Sequence, residues 1–260
     1  MNAGESEVTR EVVRTYYARV ARSEGGGGCA TACCGSQEAV SLQLGYTPED
    51  LASVPAGADM GLGCGSPLTF ADVREGETVL DLGSGGGLDC FLAGKQVGAA
   101  GRVIGVDMTP DMVTKARKNR ERLGVPNVEF RLGEIERLPV ADRSVDVIVS
   151  NCVVNLSPDK PSVFSEAFRV LRPGGRLALS DIVASAPLPA ALRDDPRALA
   201  GCIAGASAVG ALRAMIEASG FEEVRIDLRR ESQVFIREWM PGSGAEDFIA
   251  SATIRAVKPA

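Results

Sequence analysis

Thr78-Val79-Leu80-Asp81-Leu82-Gly83-Ser84-Gly85-Gly86-Gly87 decides the fold: a β-prone run that passes directly into a glycine-rich turn and opens a helix. Glycines there let the backbone approach a ligand closely at the carboxyl edge of the sheet, where doubly wound folds bind their cofactors. Asp107 closes a second strand-like run about twenty residues further on, placed to accept hydrogen bonds from ribose hydroxyls. Together they point to a nucleoside-containing cofactor. A dinucleotide is disfavoured because Asp81 stands where a pyrophosphate would lie. An anionic side chain repels phosphate and suits a cationic or zwitterionic ligand.

Working outward, β-rich runs alternate with helical stretches between 77 and 181. The runs are 78–82, 103–107, 128–132, 145–149 and 176–180. This alternation predicts βαβ units on a parallel sheet. After Asp107 a helix is expected with Thr109 at its N-cap, Pro110 at its first position and Gly124 as terminator. A second carries Phe164, Ala167, Phe168 and Leu171 and stops at Pro173-Gly174-Gly175. A third is expected over about 208–219. Strand-like runs at 223–228 and 249–257 are expected to form an extra antiparallel layer. Gly25-Gly26-Gly27-Gly28 predicts a flexible stretch near the amino end. The chain thus divides into an amino-terminal segment (1–70), a doubly wound α/β core (71–185) and a small carboxy-terminal α+β part (186–260).

With 28 basic and 34 acidic residues the net charge is −6, without the basic excess that nucleic acid binding demands. The acidic, polar start Met1-Asn2-Ala3-Gly4-Glu5-Ser6-Glu7 lacks a secretory pattern, and no apolar run is long enough to span a bilayer. A cytoplasmic monomer without nucleic acid or membrane contact is the resulting expectation. Histidine is absent, which excludes histidine general bases, Ser-His-Asp or Cys-His catalysis and mixed Cys/His zinc sites.

Seven cysteines remain to be explained, and a disulfide framework is not expected in a reducing compartment. Cys29, Cys33 and Cys34 lie in the glycine-rich segment. Cys64 sits in Gly61-Leu62-Gly63-Cys64-Gly65-Ser66-Pro67, Cys152 directly follows the fourth strand, and Cys202 sits in Ala200-Gly201-Cys202. Cys90, beside Phe91 and Leu92 in the helix after the glycine loop, reads as an inert packing residue. Thiolates prefer soft ions, so a three-sulfur site is the simplest product of the others. Zinc usually draws on close cysteine pairs, which Cys64, Cys152 and Cys202 do not form. Dispersed thiols beside the cofactor loop suggest a substrate site.

The segment Asp81 to Gly87 with Asp107 resembles class I S-adenosylmethionine methyltransferases. That resemblance implies a Rossmann-like fold and S-adenosylmethionine bound by Asp81, Gly83, Ser84, Gly85, Gly87, Asp107 and Met108. It places adenine against Glu134, Ile135 and Glu136 after the third strand and the methionine part against Asn151. The contexts of Cys64, Cys152 and Cys202, with Ser150-Asn151-Cys152-Val153-Val154-Asn155-Leu156-Ser157-Pro158 and Gly201-Cys202-Ile203-Ala204-Gly205-Ala206, sharpen it to arsenite S-adenosylmethionine methyltransferases, from about residue 16 to near the end. In that family, cysteines at the positions of Cys152 and Cys202 hold trivalent arsenic. The one matching Cys64 and an amino-terminal cysteine take part in binding or redox chemistry. The resemblance does not choose among Cys29, Cys33 and Cys34, and Ser66 stands where asparagine is common.

The expected reaction is transfer of a methyl group to thiolate-held arsenite or monomethylarsenite, for arsenic detoxification. The lone pair of arsenic is the nucleophile, so no general base is needed. A thiol reductant, thioredoxin or glutathione, would restore oxidised cysteines. Two alternatives keep the fold: a C- or O-methyltransferase of a small organic acceptor, and a non-catalytic cysteine-based metalloid binder.

Overall fold

The computed structural model describes residues 3–23, 37–193, 195, 198, 199 and 201–260. Cys29, Cys33, Cys34 and the four-glycine stretch lie outside the described residues. Helix α1 (Ala3–Arg22) is followed by α2 (Gln37–Leu44) and the short α3 (Pro48–Ala52), which Thr47 opens with a reciprocal side-chain cap to Asp50. The core then runs β1 (Thr78–Leu82), α4 (Leu88–Val97), β2 (Arg102–Asp107), α5 (Pro110–Leu123), β3 (Val128–Leu132), β4 (Val145–Asn151), α6 (Lys160–Val170) and β5 (Leu171–Ala184). Beyond it come α7 (Ala190–Arg193), the two-residue β6 (Ser207–Ala208), α8 (Val209–Ala218), β7 (Glu222–Arg229), α9 (Gln233–Trp239) and β8 (Ile249–Val257).

The strands form one sheet in the order β3-β2-β1-β4-β5-β8-β7, with β6 alongside β5. The first five are parallel, whereas β8 pairs antiparallel with both β5 and β7. The two carboxy-terminal strands therefore extend the central sheet; they do not stack on it as the expected extra layer. The reason is their register: nine consecutive positions of β5, Arg176 to Ala184, pair with β8. Ala252, Ile254 and Ala256 of β8 join the same apolar cluster as Leu177 and Leu179.

Alternation along the strands sorts the core into two faces. Val79, Val103, Val147, Val149 and Ala178 pack on one side with Cys90, Phe91 and Val97 of α4. Leu80, Leu82, Ile104, Val106, Ile148 and Leu179 pack on the other with Phe164 and Ala167 of α6. Each such fully buried aliphatic side chain contributes about 1.5–3 kcal/mol. Thr109 holds the N-cap position of α5 but makes no side-chain cap, and Gly124 ends that helix in the left-handed conformation at φ 69°.

Strand order reverses at β1, which lies between β2 and β4. The carboxyl ends of β1, β2 and β4 consequently splay apart around a crevice, the position at which open α/β sheets take ligands. Helix α1 crosses this edge: Arg22 forms a bidentate pair with Asp111 of α5, at 2.8 and 2.9 Å. Among the described residues no helix is long and apolar enough to cross a membrane.

Candidate functional site

The crevice opens into about 1060 Å³ of space, its mouth included. Its wall is the turn after β1. Gly83 adopts φ +72°, and a β-carbon there would lie 2.3 Å from the Val153 side chain, so no larger residue fits. Asp107 at the end of β2 locks the turn: its Oδ2 accepts from the Gly85 amide at 3.0 Å and its Oδ1 from the Thr109 amide at 2.8 Å. Burial raises the Asp107 pKa, against those amides, which favour the anion.

Of the residues expected to contact a cofactor, Asp81, Gly83, Ser84, Gly85, Asp107, Met108, Ile135, Glu136 and Asn151 line the cavity. Gly87 and Glu134 do not. Gly87 is the N-cap of α4 at φ 98°, with Phe91 and Phe130 packed against its Cα. Glu134 faces α1 instead, 3.6 Å from Arg10 and 3.5 Å from Arg14, because that helix brings two guanidinium groups over the loop after β3. Glu136 also meets Arg10, at 3.4 Å, and accepts from the Ser157 hydroxyl at 2.7 Å.

Two lining residues that sequence reasoning missed complete an acidic end. The Tyr46 hydroxyl donates to the Asp89 carboxylate at 2.9 Å, and Asn151 Nδ2 donates to the Tyr46 oxygen at 2.9 Å. Burial pushes Asp89 up to about 6, partly offset by the Tyr46 hydrogen bond. Burial, then the charge of Asp89, holds Asp81 well above the usual carboxylate range; Cys90 donates to Asp81 Oδ2 at 3.3 Å. Buried carboxylates this close favour a cationic guest. Asp89 was legible as an acid at the start of an amphipathic helix, whereas Tyr46, between Gly45 and Thr47, carried no signal.

Asn151 links this end to a second region. Its Oδ1 accepts from the Cys64 amide at 2.9 Å and its Nδ2 donates to the Gly65 carbonyl at 2.6 Å. The loop can press this close only because residue 63 is glycine, whose β-carbon would fall 2.6 Å from Asn151 Nδ2. Cys64 is thereby carried to Cys152 and Cys202, and all three are free and buried. The Cys64 and Cys152 sulfurs lie within 4.8 Å of each other, and the Cys202 thiol donates to the Cys152 carbonyl at 2.8 Å. Only Cys152 of the three lines the cavity.

Cys152 and Cys202 share a left-handed backbone, at φ 61° and 62°. Few non-glycine residues accept that region, and strained backbone of this kind concentrates at functional sites. The Cys202 hydrogen bond favours the Cys152 thiolate, but donation to Cys64 and burial outweigh it and hold the Cys152 thiol well above its ordinary pKa. Cys202 is raised by its own donation to Cys152 and then by burial. Burial also raises Cys64, against the hydrogen bond it receives from Cys152. At neutral pH the trio is a set of protonated thiols.

Comparison with known proteins agrees with this geometry. A methyltransferase domain model matches residues 74–223. The chain is 53% identical to an arsenite methyltransferase of Halobacterium salinarum, the match covering 98% of this chain and 68% of the relative. It is 40% identical to an arsenite methyltransferase of Aquipseudomonas alcaligenes, over 83% of this chain and 63% of that one. A crystal structure of an arsenic (III) S-adenosylmethionine methyltransferase from Chlamydomonas reinhardtii superposes with a TM-score of 0.63 at 35% identity, covering 85% of this chain and 74% of that one.

Proposed function

The chain belongs to the arsenite methyltransferases, a family of class I S-adenosylmethionine-dependent enzymes, and from that premise we propose that it methylates trivalent arsenic held by its own thiols. The observation that carries this reading is the convergence of Cys64, Cys152 and Cys202 behind the cavity, with Cys152 alone at its surface. Arsenite or monomethylarsenite is the substrate.

The cavity fits S-adenosylmethionine on its own chemistry. Asp107 lines the cavity as a carboxylate acceptor suited to ribose hydroxyls, and the glycine turn admits a ligand against bare backbone. The cationic methionine end suits the acidic end at Asp81 and Asp89, with Asn151 beside it. Ile135, Met108 and Glu136 would flank adenine. When bound, S-adenosylmethionine supplies an electrophilic methyl group, which the lone pair of a thiolate-held trivalent arsenic can accept.

The thiols' task is capture and alignment. Each protonated thiol that replaces a hydroxide on neutral arsenite sends its proton out with that hydroxide as water, so capture leaves no charge behind in the buried site. The bond from the Cys64 amide to Asn151 and that from the Cys202 thiol to the Cys152 carbonyl hold the three thiols next to the cofactor cavity. Arsenite offers three exchangeable positions and a monomethyl arsenical two, so Cys152 and Cys202 suffice for the second substrate while Cys64 matters most for the first. One of Cys29, Cys33 and Cys34 would join the redox step, with a cytoplasmic thioredoxin or glutathione as reductant.

The test is release of S-adenosylhomocysteine that depends on arsenite or monomethylarsenite and on a thiol reductant. Turnover with small organic acceptors but not with arsenicals would replace this reading by an ordinary C- or O-methyltransferase. Tight arsenite binding without turnover would leave a metalloid binder.

A further inference from the structure

Beside the sulfur trio stands a buried acid that methyl transfer does not use. Asp181, in the middle of β5, places a carboxylate oxygen so that it and the Cys64 and Cys152 sulfurs all lie within 4.8 Å of one another. Its orientation is fixed: Oδ1 accepts from the Ile182 amide at 2.8 Å and from Asn155 Nδ2 at 2.9 Å, and Oδ2 accepts from the Val154 amide at 2.9 Å. A metal-ligating carboxylate is held by hydrogen bonds of this kind. The nearby ammonium of Lys160 is turned to the Gly205 carbonyl, at 2.8 Å. Cys202 lies outside this triangle, its thiol donating to the Cys152 carbonyl at 2.8 Å.

Two overlapping sets of donors thus share Cys64 and Cys152: one adds the sulfur of Cys202, the other the oxygen of Asp181. We propose that the second set is a binding site for a thiophilic divalent cation of the zinc group, and that its occupation blocks arsenical capture by withdrawing two of the three thiols.

The chemistry of the donors separates the guests. Trivalent arsenic is satisfied by sulfur, and a neutral arsenical brings no positive charge to the buried Asp181, which has the Lys160 ammonium nearby. A dication takes two thiolates, releasing two protons to solvent, and gains the carboxylate as an oxygen ligand of the kind zinc accepts. Cadmium, softer, occupies the same set. Since neither Cys64 nor Asp181 lines the cofactor cavity, such an ion sits behind Cys152 and leaves that cavity open. Its effect on arsenicals rests on the function proposed above; the binding itself does not.

The experiment uses arsenical-free full-length protein with Cys29, Cys33 and Cys34 changed to serine, titrated with cadmium chloride in a phosphine reductant and followed by thiolate-to-metal charge-transfer absorbance. One cadmium per chain is expected. Asp181→Asn should weaken it by about tenfold or more, Cys64→Ser and Cys152→Ser by more still. Cys202→Ser should change it by less than about threefold, since no ligand is lost and the serine hydroxyl can still donate to the Cys152 carbonyl. Unchanged affinity in Asp181→Asn, or a loss in Cys202→Ser as large as in Cys64→Ser, overturns the assignment. Should Asp181→Asn fail to fold, cadmium-edge X-ray absorption of the parent protein decides: two sulfurs with oxygen support the site, an all-sulfur shell refutes it. Absence of arsenite turnover alongside a mixed sulfur and oxygen shell would sink the methyltransferase reading while leaving the cation site standing.

Discussion

The two ends of the cavity are built in opposite ways. The cofactor side is nearly continuous in sequence: the end of β1 supplies Asp81, the turn after it Gly83, Ser84 and Gly85, and Asp107 follows one βαβ unit later. The thiol side is assembled from three separate places, the loop before β1, the end of β4 and the segment before β6, with Asn151 as the joint between the two. A ligand recognised through backbone can be held by one well-formed turn. A soft centre that needs several sulfurs around it requires the whole fold to bring them together.

If the two ends are separable, changes to sulfur should spare cofactor binding. Cys152→Ser and Cys202→Ser are expected to lower turnover on every trivalent arsenical by about 100-fold or more, because a protonated hydroxyl does not compete for a soft centre. Calorimetry should find S-adenosylmethionine affinity preserved in both. Turnover near that of the parent would move the arsenic site elsewhere, and lost cofactor affinity would mean that the two ends are one unit.

The converse change is Asp107→Ala, which removes a charged acceptor and frees the Gly85 and Thr109 amides. Cofactor affinity should fall by at least about tenfold, from a charged hydrogen bond worth ~1.5–3 kcal/mol. Arsenite binding, read from its sulfur absorbance, should persist. Cys64→Ser sharpens the comparison within the thiol side: turnover on arsenite should drop several-fold more than on monomethylarsenite, and equal losses would refute the count of exchangeable positions.

A smaller effect comes from pH. Asp89 is pushed up to about 6, so taking the solution from pH 7 to pH 5 neutralises it, and a cationic cofactor should bind a few-fold more weakly. Asp89→Asn should flatten that dependence; an unaltered slope would place the titrating group elsewhere. Stability runs the other way. A carboxyl whose folded pKa exceeds its unfolded value of 3.8 contributes stability below about pH 4 and loses it as pH rises through about 6. The smallest change is Cys90→Ser, which exchanges a buried thiol for a hydroxyl beside Asp81 and should cost about 1–2 kcal/mol of unfolding free energy with both ligands still bound.

The contrast also explains what was legible in the sequence. Strand, glycine turn, helix and terminal acid follow one another in order, so β1 to α5 and the role of Asp107 could be read directly. The individual cysteines stood out by their unusual contexts, but their meeting depended on the close approach of Gly63 to Asn151. Glu134 was lost to the arginines of α1, a contact between residues at least 120 positions apart. The 249–257 run was recognisable as a strand, yet its antiparallel place beside β5 depended on a partner that periodicity does not name. Asp181 was missed because it interrupts an apolar strand, with Ile182 and Val183 after it, and does not end one as Asp107 does.

The left-handed turn at positions 152 and 202 bears on how such a site could be redirected to another acceptor. Backbone shape there filters replacements before any chemistry is tested: glycine, asparagine and aspartate tolerate φ near +60°, whereas valine, isoleucine and threonine do not. A designer who wants an oxygen- or carbon-centred acceptor in this cavity should therefore begin from asparagine at 152 and glycine at 202. Libraries that randomise both positions should return survivors dominated by those few residue types, whatever substrate is used for selection.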